Sequence, residues 1–312
     1  MLTSILLAAV GFVVLYYGAE WLVTGATSMA LNLNVSKVVV GLTLVAFGTS
    51  SPELFVNLIA AYKGHTGLAL ANVAGSNLTN LCLGFGCCAL VGIVRIPKQR
   101  YMTDLIYFWV SPCLVLFFFT VYPGNRLPLY ATATFLGLIL LYFVSIKKRL
   151  RSKEVNDRPR FRLPLSVLIF LCGCGTLYLG GELILYSAIA ITRFLGVSEA
   201  IIGLTIVAVG TSVPDVMASI IAIKKGESSI AVGNLLGSNI FNILLVLGGT
   251  LVASWEDLPA DRLCIIDYAT VCAVSFLFFV LVLRFSKVSR ISGYALILLY
   301  TAYMIIRIIL GL

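Results

Sequence analysis

Charged residues are scarce in this sequence. Asp, Glu, Lys and Arg make up 11% of its 312 residues, whereas hydrophobic residues make up 60%. The mean hydropathy is +1.06. Because soluble domains carry about 25% charged residues, this composition excludes a soluble globular protein and indicates a polytopic membrane protein. The apolar segments are continuous rather than alternating, which disfavours a transmembrane β-barrel.

Residues that bind soft metals are also few or scattered. His65, in the polar turn KGHTG, is the only histidine. The eight cysteines fall within or beside apolar segments, so we interpret them as small hydrophobic residues in helix packing. A site for Zn²⁺ or another soft transition metal is therefore disfavoured. We predict no resident cofactor.

Long apolar segments dominate the rest of the chain. A transmembrane helix needs about 20 mostly apolar residues. We predict an all-α polytopic membrane protein, and we expect the first segment to be a span rather than a cleaved signal peptide because it lacks a basic n-region. The ten predicted spans are 2–24, 36–62, 68–93, 103–121, 127–146, 163–191, 199–223, 229–253, 265–283 and 291–311.

The net charge of +9 is unevenly distributed between the loops. If the basic segment 147–162 is cytoplasmic, ten spans place 17 Lys and Arg residues on that side and five on the other. The positive-inside rule then puts both termini outside. We interpret the charge as a topology signal with contact to anionic lipids, and not as a site for nucleic acid. A prokaryotic plasma membrane is the simplest location.

The sequence contains an internal repeat. GLTLVAFGTSSPE (41–53) and GLTIVAVGTSVPD (203–215) are identical at nine of 13 positions, at an offset of 162. The same offset aligns the two Gly-Ser-Asn segments (75–77 and 237–239) without a gap. Each repeat holds five spans, and an odd number inverts the second unit relative to the first. We predict two inverted five-helix repeats, 1–146 and 163–312, joined by a basic cytoplasmic linker, 147–162.

Two acidic residues lie in the middle of predicted spans. Glu53 and Asp215 are equivalent under the repeat, so we expect them to face each other near the pseudo-two-fold axis. A carboxylate at this depth needs a partner or an ion. Two adjacent carboxylates repel each other, and a divalent cation between them would balance both charges.

Oxygen donors surround this predicted pair in both repeats. Pro52 and Pro214 lack an N–H and are expected to free backbone carbonyls one turn earlier, at 46–48 and 208–210. Carbonyl, hydroxyl, amide and carboxylate oxygens suit Ca²⁺ and Na⁺. Because the set recurs in register, we favour an ion site over ordinary helix packing. The side-chain donors are Thr49, Ser50, Ser51, Thr211 and Ser212, together with Ser76 and Asn80 on one helix face and Ser238 and Asn242 on its equivalent.

The motifs GTSSPE and GTSVPD, each followed by a GSN segment, resemble the two alpha-repeats of the calcium/cation antiporter superfamily, in its sodium/calcium exchanger branch. The resemblance covers essentially the whole chain and implies a site formed by the second, third, seventh and eighth spans. Family exchangers often carry Glu where this chain has Asp215, and many carry Asp where it has Asn242. The ligands implied are Glu53, Asp215, Asn80, Thr49, Ser50, Thr211, Ser212, Ser76 and Ser238, with the carbonyls of Ala46 and Ala208.

The sequence thus predicts a non-enzymatic antiporter that exchanges Ca²⁺ for Na⁺ by alternating access, with both ions as substrates. An empty dianionic site would be too costly to cross the membrane, which enforces exchange. The resemblance implies that the first and sixth spans slide over the other eight. A Ca²⁺/H⁺ antiporter and a K⁺-dependent exchanger remain alternatives. A passive channel and an intramembrane protease with a Glu53–Asp215 dyad are less favoured, and the oligomeric state stays open, a monomer included.

Overall fold

The computed structural model describes residues 2–147, 149–150, 159–194 and 207–311. Nearly all of them are helical, and four two-residue strands lie in the connections. The helices are α1 (Leu2–Asn32), α2 (Lys37–Thr49), α3 (Ser51–Tyr62), α4 (Thr66–Val91), α5 (Lys98–Val121), α6 (Ala131–Lys147), α7 (Leu163–Phe194), α8 (Val207–Lys224), α9 (Ser228–Ser254), α10 (Arg262–Phe285) and α11 (Arg290–Gly311). The strands are β1 (Val94–Arg95), β2 (Arg126–Leu127), β3 (Leu258–Pro259) and β4 (Lys287–Val288).

The eleven helices correspond in order to the ten predicted spans, with α2 and α3 together forming the second. Within the described part of the chain, seven are long and apolar enough to cross a membrane, namely α1, α4, α5, α7, α8, α9 and α10. The bent pair of α2 and α3 provides an eighth crossing. Helix α6 is shorter, with 17 residues, and α11 has 22 residues. The predicted start of the seventh span, 199–206, lies outside the described residues.

The prediction that the first span ends at residue 24 is wrong. Helix α1 continues to Asn32, because its polar last turns are bonded to the start of α7. Ser28 Oγ accepts a hydrogen bond from the backbone N–H of Phe161 at 3.1 Å. Asn32 Nδ2 donates to the carbonyl of Phe161 at 2.8 Å. Glu20 therefore lies well inside α1.

Helices α1 and α7 pack against each other through a glycine seam. A Cβ added at Gly18 would lie 2.6 Å from the backbone N of Leu177, and one at Gly180 would lie 2.7 Å from that of Leu15. The contacts run in opposite sequence directions, so the two helices are antiparallel. Gly18 and Gly180 are equivalent under the offset of 162, which makes the seam pseudo-symmetric.

Helices α4 and α9 form the centre of the molecule. In their most apolar 18-residue windows, 78% and 94% of residues are buried, compared with 28% in both α1 and α7. Glycine allows both central helices to approach the other repeat closely. A Cβ at Gly75 would lie 2.7 Å from Ala208 Cβ, and one at Gly237 would lie 2.8 Å from Ala46 Cβ. We call the helices that carry the GTSSPE and GTSVPD motifs, α2 with α3 and α8, the signature helices. Each central helix thus contacts the signature helix of the opposite repeat.

The short strands reproduce the inverted symmetry. Strand β1 pairs antiparallel with β4, and β2 pairs antiparallel with β3. Because α5 connects β1 to β2, the two ladders lie at opposite ends of the helix bundle. Exchanging the repeats maps one ladder onto the other, since β1 and β3 follow the third helix of their units while β2 and β4 follow the fourth.

A buried aspartate cross-links the last two helices of each unit. Asp104 of α5 accepts hydrogen bonds from Tyr142 at 3.0 Å and from both terminal nitrogens of Arg149 at 2.8 Å. Asp267 of α10 accepts equivalent bonds from Tyr303 at 3.0 Å and Arg307 Nε at 2.9 Å. These side chains were not singled out from the sequence, although the Asp, Tyr and Arg recur at similar spacing in both halves. Both aspartates are paired with an arginine and a tyrosine, which indicates a structural role.

Candidate ion-binding site

The signature segment of the first repeat is a bent helix. Helices α2 and α3 meet at Ser50 with a bend of 45°. Pro52, in the first turn of α3, has no N–H to donate across the junction. A π-helical stretch, Gly41–Val45, precedes the bend. The junction places Ser50 and Glu53 at the start of a new helix, in the interior of the bundle.

The second repeat does not reproduce this bend. Pro214 lies inside α8, which is continuous from Val207 to Lys224. The equivalent breaks suggested by the two prolines therefore differ between the halves. The π-helical stretches of the central helices are symmetric, since Thr79–Gly84 in α4 and Asn242–Leu247 in α9 occupy equivalent positions. Such stretches are frequent at functional sites, and here they begin beside the candidate ligands Asn80 and Asn242.

Glu53 is completely buried in the helix bundle. Its Oε1 accepts a hydrogen bond from Ser212 Oγ of α8 at 3.1 Å. Its Oε2 is buried and has no hydrogen-bond partner. The Glu53 carboxyl group also interacts electrostatically with Asp215. The structure thus brings the two predicted acidic residues together.

Asp215 is also completely buried, but both of its oxygens are hydrogen-bonded. Oδ1 accepts from Ser238 Oγ at 2.9 Å, and Oδ2 accepts from Asn80 Nδ2 at 2.6 Å. These donors come from the central helices of both repeats, α9 and α4. Asp215 therefore joins three helices around one carboxyl group.

The predicted hydroxyl and carbonyl ligands lie around this pair. The Ala46 carbonyl accepts from the backbone N–H of Ser50 at 2.9 Å and from Thr49 Oγ1 at 3.3 Å. The Ala208 carbonyl accepts from Thr211 Oγ1 at 3.3 Å and from Ser76 Oγ at 3.5 Å. The Ala46 carbonyl thus keeps its helical donor, the N–H of Ser50, and the carbonyl that loses a helical donor at Pro52 is that of Gly48.

Several oxygens at the centre lack a hydrogen-bond donor. Asn80 Oδ1 is buried without a partner, although its amide nitrogen is bonded to Asp215. Both polar atoms of the Asn242 side chain are unpartnered, one helical turn after Ser238. Ser50 Oγ lies beside the Asp215 carboxyl group, to which it can donate, although it forms no hydrogen bond of standard length. Glu53 Oε2 is a buried oxygen of the same kind, and so is Asn77 Oδ1, in the residue after Ser76.

One candidate donor does not reach the site. The Ser51 hydroxyl donates back to the carbonyl of Phe47 at 2.7 Å. It lines an apolar groove of about 540 Å³ between α2, α3 and α7, together with Pro52 and Phe55. Ser51 is adjacent in sequence to Ser50, and the helical turn between them directs the two hydroxyls to different surroundings.

The structure adds a second layer of buried amides and hydroxyls. Asn234 Oδ1 accepts from Thr49 Oγ1 at 2.9 Å, and Asn72 Oδ1 accepts from Thr211 Oγ1 at 3.4 Å. Asn57 donates to the carbonyl of Ala69 at 3.0 Å. The sequence carried a signal for these residues. Asn72 and Asn234 match under the repeat, but their contacts with the threonines depend on the packing of one repeat against the other.

The donor set limits what the site can hold. Within the described residues, no group of three or more His, Cys, Asp or Glu side chains lies close enough to bind a metal ion. The centre therefore offers two carboxyl groups among neutral amide, hydroxyl and carbonyl oxygens. Hard cations such as Ca²⁺ and Na⁺ prefer such oxygens.

Comparisons with known proteins agree with this chemistry. The sequence profile described as "Sodium/calcium exchanger protein" matches residues 3–147 and 165–309. The chain belongs to the sodium/calcium exchanger family. Family membership makes it an integral, multi-pass membrane protein of a class of cation antiporters, and not a member of a family of catalytic enzymes.

Individual relatives align over nearly the full length. A protein of Alkalimonas amylolytica that is named as an antiporter, CaxA, is 33% identical, with 97% of this chain and 98% of the relative covered. The sodium/calcium exchanger MaX1 of Methanosarcina acetivorans is 28% identical, with 97% and 98% covered. The solved structure of the sodium–calcium exchanger NCX_Mj has a TM-score of 0.81 at 29% identity, covering 97% of both chains. The predicted fold class, ten helices in two inverted repeats, is confirmed.

Proposed function

We propose that this family member exchanges Ca²⁺ for Na⁺ by alternating access at the buried site between α2, α3, α4, α8 and α9. One Ca²⁺ would bind between Glu53 and Asp215, or Na⁺ ions would occupy overlapping positions. Both ions are substrates in this proposal.

The unsatisfied oxygens carry the proposal. A buried oxygen without a donor costs about 1–3 kcal/mol in a folded protein, and more if it is charged. Glu53 Oε2, Asn80 Oδ1 and Asn242 Oδ1 are all of this kind. A bound cation would satisfy all three at once, since oxygen lone pairs are its ligands.

The charge of the site supports exchange. Two carboxylates without a cation would be expensive to move through the membrane interior. A Ca²⁺ ion neutralises Glu53 and Asp215, and Na⁺ ions can neutralise the same pair. The protein would therefore change its access only when one of the two substrates is bound, which couples their movements.

The helix pair α1 and α7 is the element best placed to change access. The two helices contact each other along the glycine seam, and most of their remaining residues are at least partly exposed on the outside of the bundle. The pair packs against both signature helices, and a Cβ added at Gly48 would lie 2.8 Å from Cys174 Sγ. A movement of this pair over the other helices would open the site to one side and then to the other.

The orientation in the membrane follows from the loop charges. With 147–162 in the cytoplasm, both termini lie outside, and a prokaryotic plasma membrane is the expected location. The linker and the cytoplasmic loops would then contact anionic headgroups.

The deciding experiment imposes ion gradients on purified protein in liposomes. We expect an outward Na⁺ gradient to drive uptake of ⁴⁵Ca²⁺, and a Na⁺ ionophore to abolish it. A protein-free liposome and the Glu53→Gln variant serve as controls. Uptake that ignores Na⁺ but follows a pH gradient would contradict the proposal in favour of a Ca²⁺/H⁺ antiporter. A requirement for K⁺ together with Na⁺ would identify a K⁺-dependent exchanger, and ion currents without a counter-ion would identify a channel.

A further inference from the structure

Two asparagines outside the predicted ligand set connect the repeats. Asn72 in α4 and Asn234 in α9 are equivalent under the offset of 162 and are almost completely buried. Asn234 accepts a hydrogen bond from Thr49 of the first repeat, and Asn72 accepts one from Thr211 of the second. Each amide thus reaches across to the hydroxyl ligand of the opposite half.

Neighbouring groups fix the orientation of the Asn234 amide. Its Nδ2 lies 3.1 Å from the backbone carbonyl of Asp215, which can only accept, and 3.0 Å from Ser219 Oγ. The nitrogen must therefore point towards α8. The carbonyl oxygen of the amide then points towards Thr49, where it can only accept a proton.

A short chain of bonds fixes the Asn72 amide in the same way. Asn57 Nδ2 donates to the backbone carbonyl of Ala69, so Asn57 Oδ1 must point away from that carbonyl. Asn72 Nδ2 donates to this oxygen at 2.7 Å. Asn72 Oδ1 is thereby directed towards Thr211.

These orientations matter because a threonine hydroxyl has one proton. Thr49 Oγ1 lies within hydrogen-bond distance of Asn234 Oδ1 at 2.9 Å, the carbonyl of Val45 at 2.9 Å and that of Ala46 at 3.3 Å, and it also lies beside the Asp215 carboxyl group. Only one of them can receive the proton at a time. When Asn234 receives it, the Ala46 carbonyl keeps one lone pair free, and the lone pairs of Thr49 are available on the other side.

We propose that Asn234 and Asn72 are positioning residues, which draw the protons of Thr49 and Thr211 away from the ion site. The proposal rests on the proposed function of that site. Its consequence is that the hydroxyl oxygens and the Ala46 and Ala208 carbonyls can act as ligands together. Without Asn72, the proton of Thr211 would go to the Ala208 carbonyl, which lies 3.3 Å away. Without Asn234, the proton of Thr49 would be shared between the carbonyls of Val45 at 2.9 Å and Ala46 at 3.3 Å, and each donation to Ala46 would occupy a lone pair that a cation needs. The contact at Thr49 is the shorter of the two, so Asn234 should have the larger effect.

A double-mutant cycle tests this coupling. Asn234→Leu keeps the side-chain size but removes the acceptor, and we expect it to raise the apparent KM for ⁴⁵Ca²⁺ in liposomes about tenfold, the effect of one hydrogen bond of about 1.4 kcal/mol. A Thr49→Val background has no hydroxyl proton to divert. In that background, Asn234→Leu should raise the apparent KM by less than about twofold. If the increases in KM of the two single variants multiply in the double variant, the proposal is overturned.

The pseudo-symmetry supplies matched controls. Asn72→Leu should be coupled to Thr211→Val and not to Thr49→Val, whereas Asn234→Leu should show the reverse pattern. Ser219→Ala removes a bond of the same Asn234 amide on the side away from Thr49, and it should change KM less than about twofold. A general loss of packing would instead affect all pairings equally. If Asn234→Leu does not fold, the Asn72 cycle still decides the question.

Thermal unfolding in detergent separates this proposal from the proposed function. If the unmodified protein is not stabilised by Ca²⁺ and does not transport it, the proposed function fails first. If Ca²⁺ stabilises the unmodified protein, but Asn234→Leu and Thr49→Val change the Ca²⁺-induced shift in melting temperature independently of each other, only the positioning role fails. Coupled shifts with both Ca²⁺ and Na⁺ would support it.

Discussion

The two halves of the site hold their carboxyl groups differently. Asp215 has both oxygens bonded, to Ser238 and to Asn80. Glu53 has one oxygen bonded and one unpartnered, and Asn242, the equivalent of Asn80, is bonded to nothing among the described residues. The repeats match in sequence, yet the protein satisfies the carboxyl group of the second repeat and leaves an oxygen of the carboxyl group of the first repeat unpartnered.

This difference indicates where an ion is needed. In the second half, protein donors fix Asp215 before any ion arrives. In the first repeat, the longer Glu53 side chain leaves an oxygen without a donor, at the position where the proposed exchange would place a cation. The pseudo-two-fold axis therefore relates a preorganised ligand to an open one. Changes at the two positions should have different consequences for stability although they have similar consequences for transport.

The largest effects are expected from neutralising the carboxyl groups. Glu53→Gln should abolish ion-coupled Ca²⁺ transport but raise the thermal stability of the ion-free protein, because it removes a buried charge with an unpartnered oxygen. Asp215→Asn should also abolish transport but lower stability, since it removes a charge that two donors satisfy, at a cost of about 1.5–3 kcal/mol per bond. Transport assays and thermal unfolding without Ca²⁺ or Na⁺ measure the two properties. Equal stability changes in both variants would contradict the asymmetry.

The asparagines provide the same comparison with neutral side chains. Asn80→Leu breaks the 2.6 Å bond to Asp215 and should destabilise the ion-free protein by about 2 kcal/mol. Asn242→Leu removes two unpartnered buried atoms and should leave stability unchanged or raise it. Both variants should weaken Ca²⁺ binding. The ion-free melting temperature is the measurement, and a destabilised Asn242→Leu would show that this amide has a partner.

Where the halves are alike, equal responses are expected. Alanine at Gly18 or Gly180 would place a Cβ 2.6 or 2.7 Å from the facing backbone, and separating α1 from α7 should cost about 1–3 kcal/mol in either case. Gly175→Ala, in the same helix α7 with nothing within 4 Å of the added Cβ, should be neutral. Thermal unfolding of the three variants checks this. Unequal losses of stability at Gly18 and Gly180 would mean that the two sides of the seam contribute differently to stability although their geometry is alike.

The sequence predicted what the repeat encodes directly. The ten spans, their inversion and the pairing of Glu53 with Asp215 follow from hydropathy and from polar residues held in register. Hydrogen-bond partners across the repeats did not follow, because Asn234–Thr49 and Asn80–Asp215 depend on how closely glycines let helices approach. The difference between a bent span at Pro52 and a continuous one at Pro214 was also missed, since both sequences carry the same proline. The end of α1 was missed because bonds to Phe161, not apolar residues, extend it.

The smallest effects are expected from an ion pair that joins α1 to the end of α8. Lys225, just after α8, lies 3.3 Å from Glu20 of α1 and donates to Thr24 at 2.8 Å. The repeat equivalents Lys63 and Glu182 are exposed and form no ion pair with any described residue. If α1 and α7 move between two access states related by the pseudo-symmetry, the second pair should form as the first breaks.

Exposed ion pairs contribute about 0–1 kcal/mol, so each should bias the access equilibrium by at most about fivefold. Lys225→Gln should favour the state that Lys63→Gln disfavours. The apparent KM for Ca²⁺ at the two faces of oriented liposomes should therefore shift in opposite directions in the two variants. Exchanging the charges, Glu20→Lys with Lys225→Glu, should restore the original ratio, because the attraction is kept. If KM shifts in the same direction in both variants, the lysines act on Ca²⁺ entry through their charge and not on the position of α1. High salt, which screens charges, would then reduce the KM shifts of both variants together.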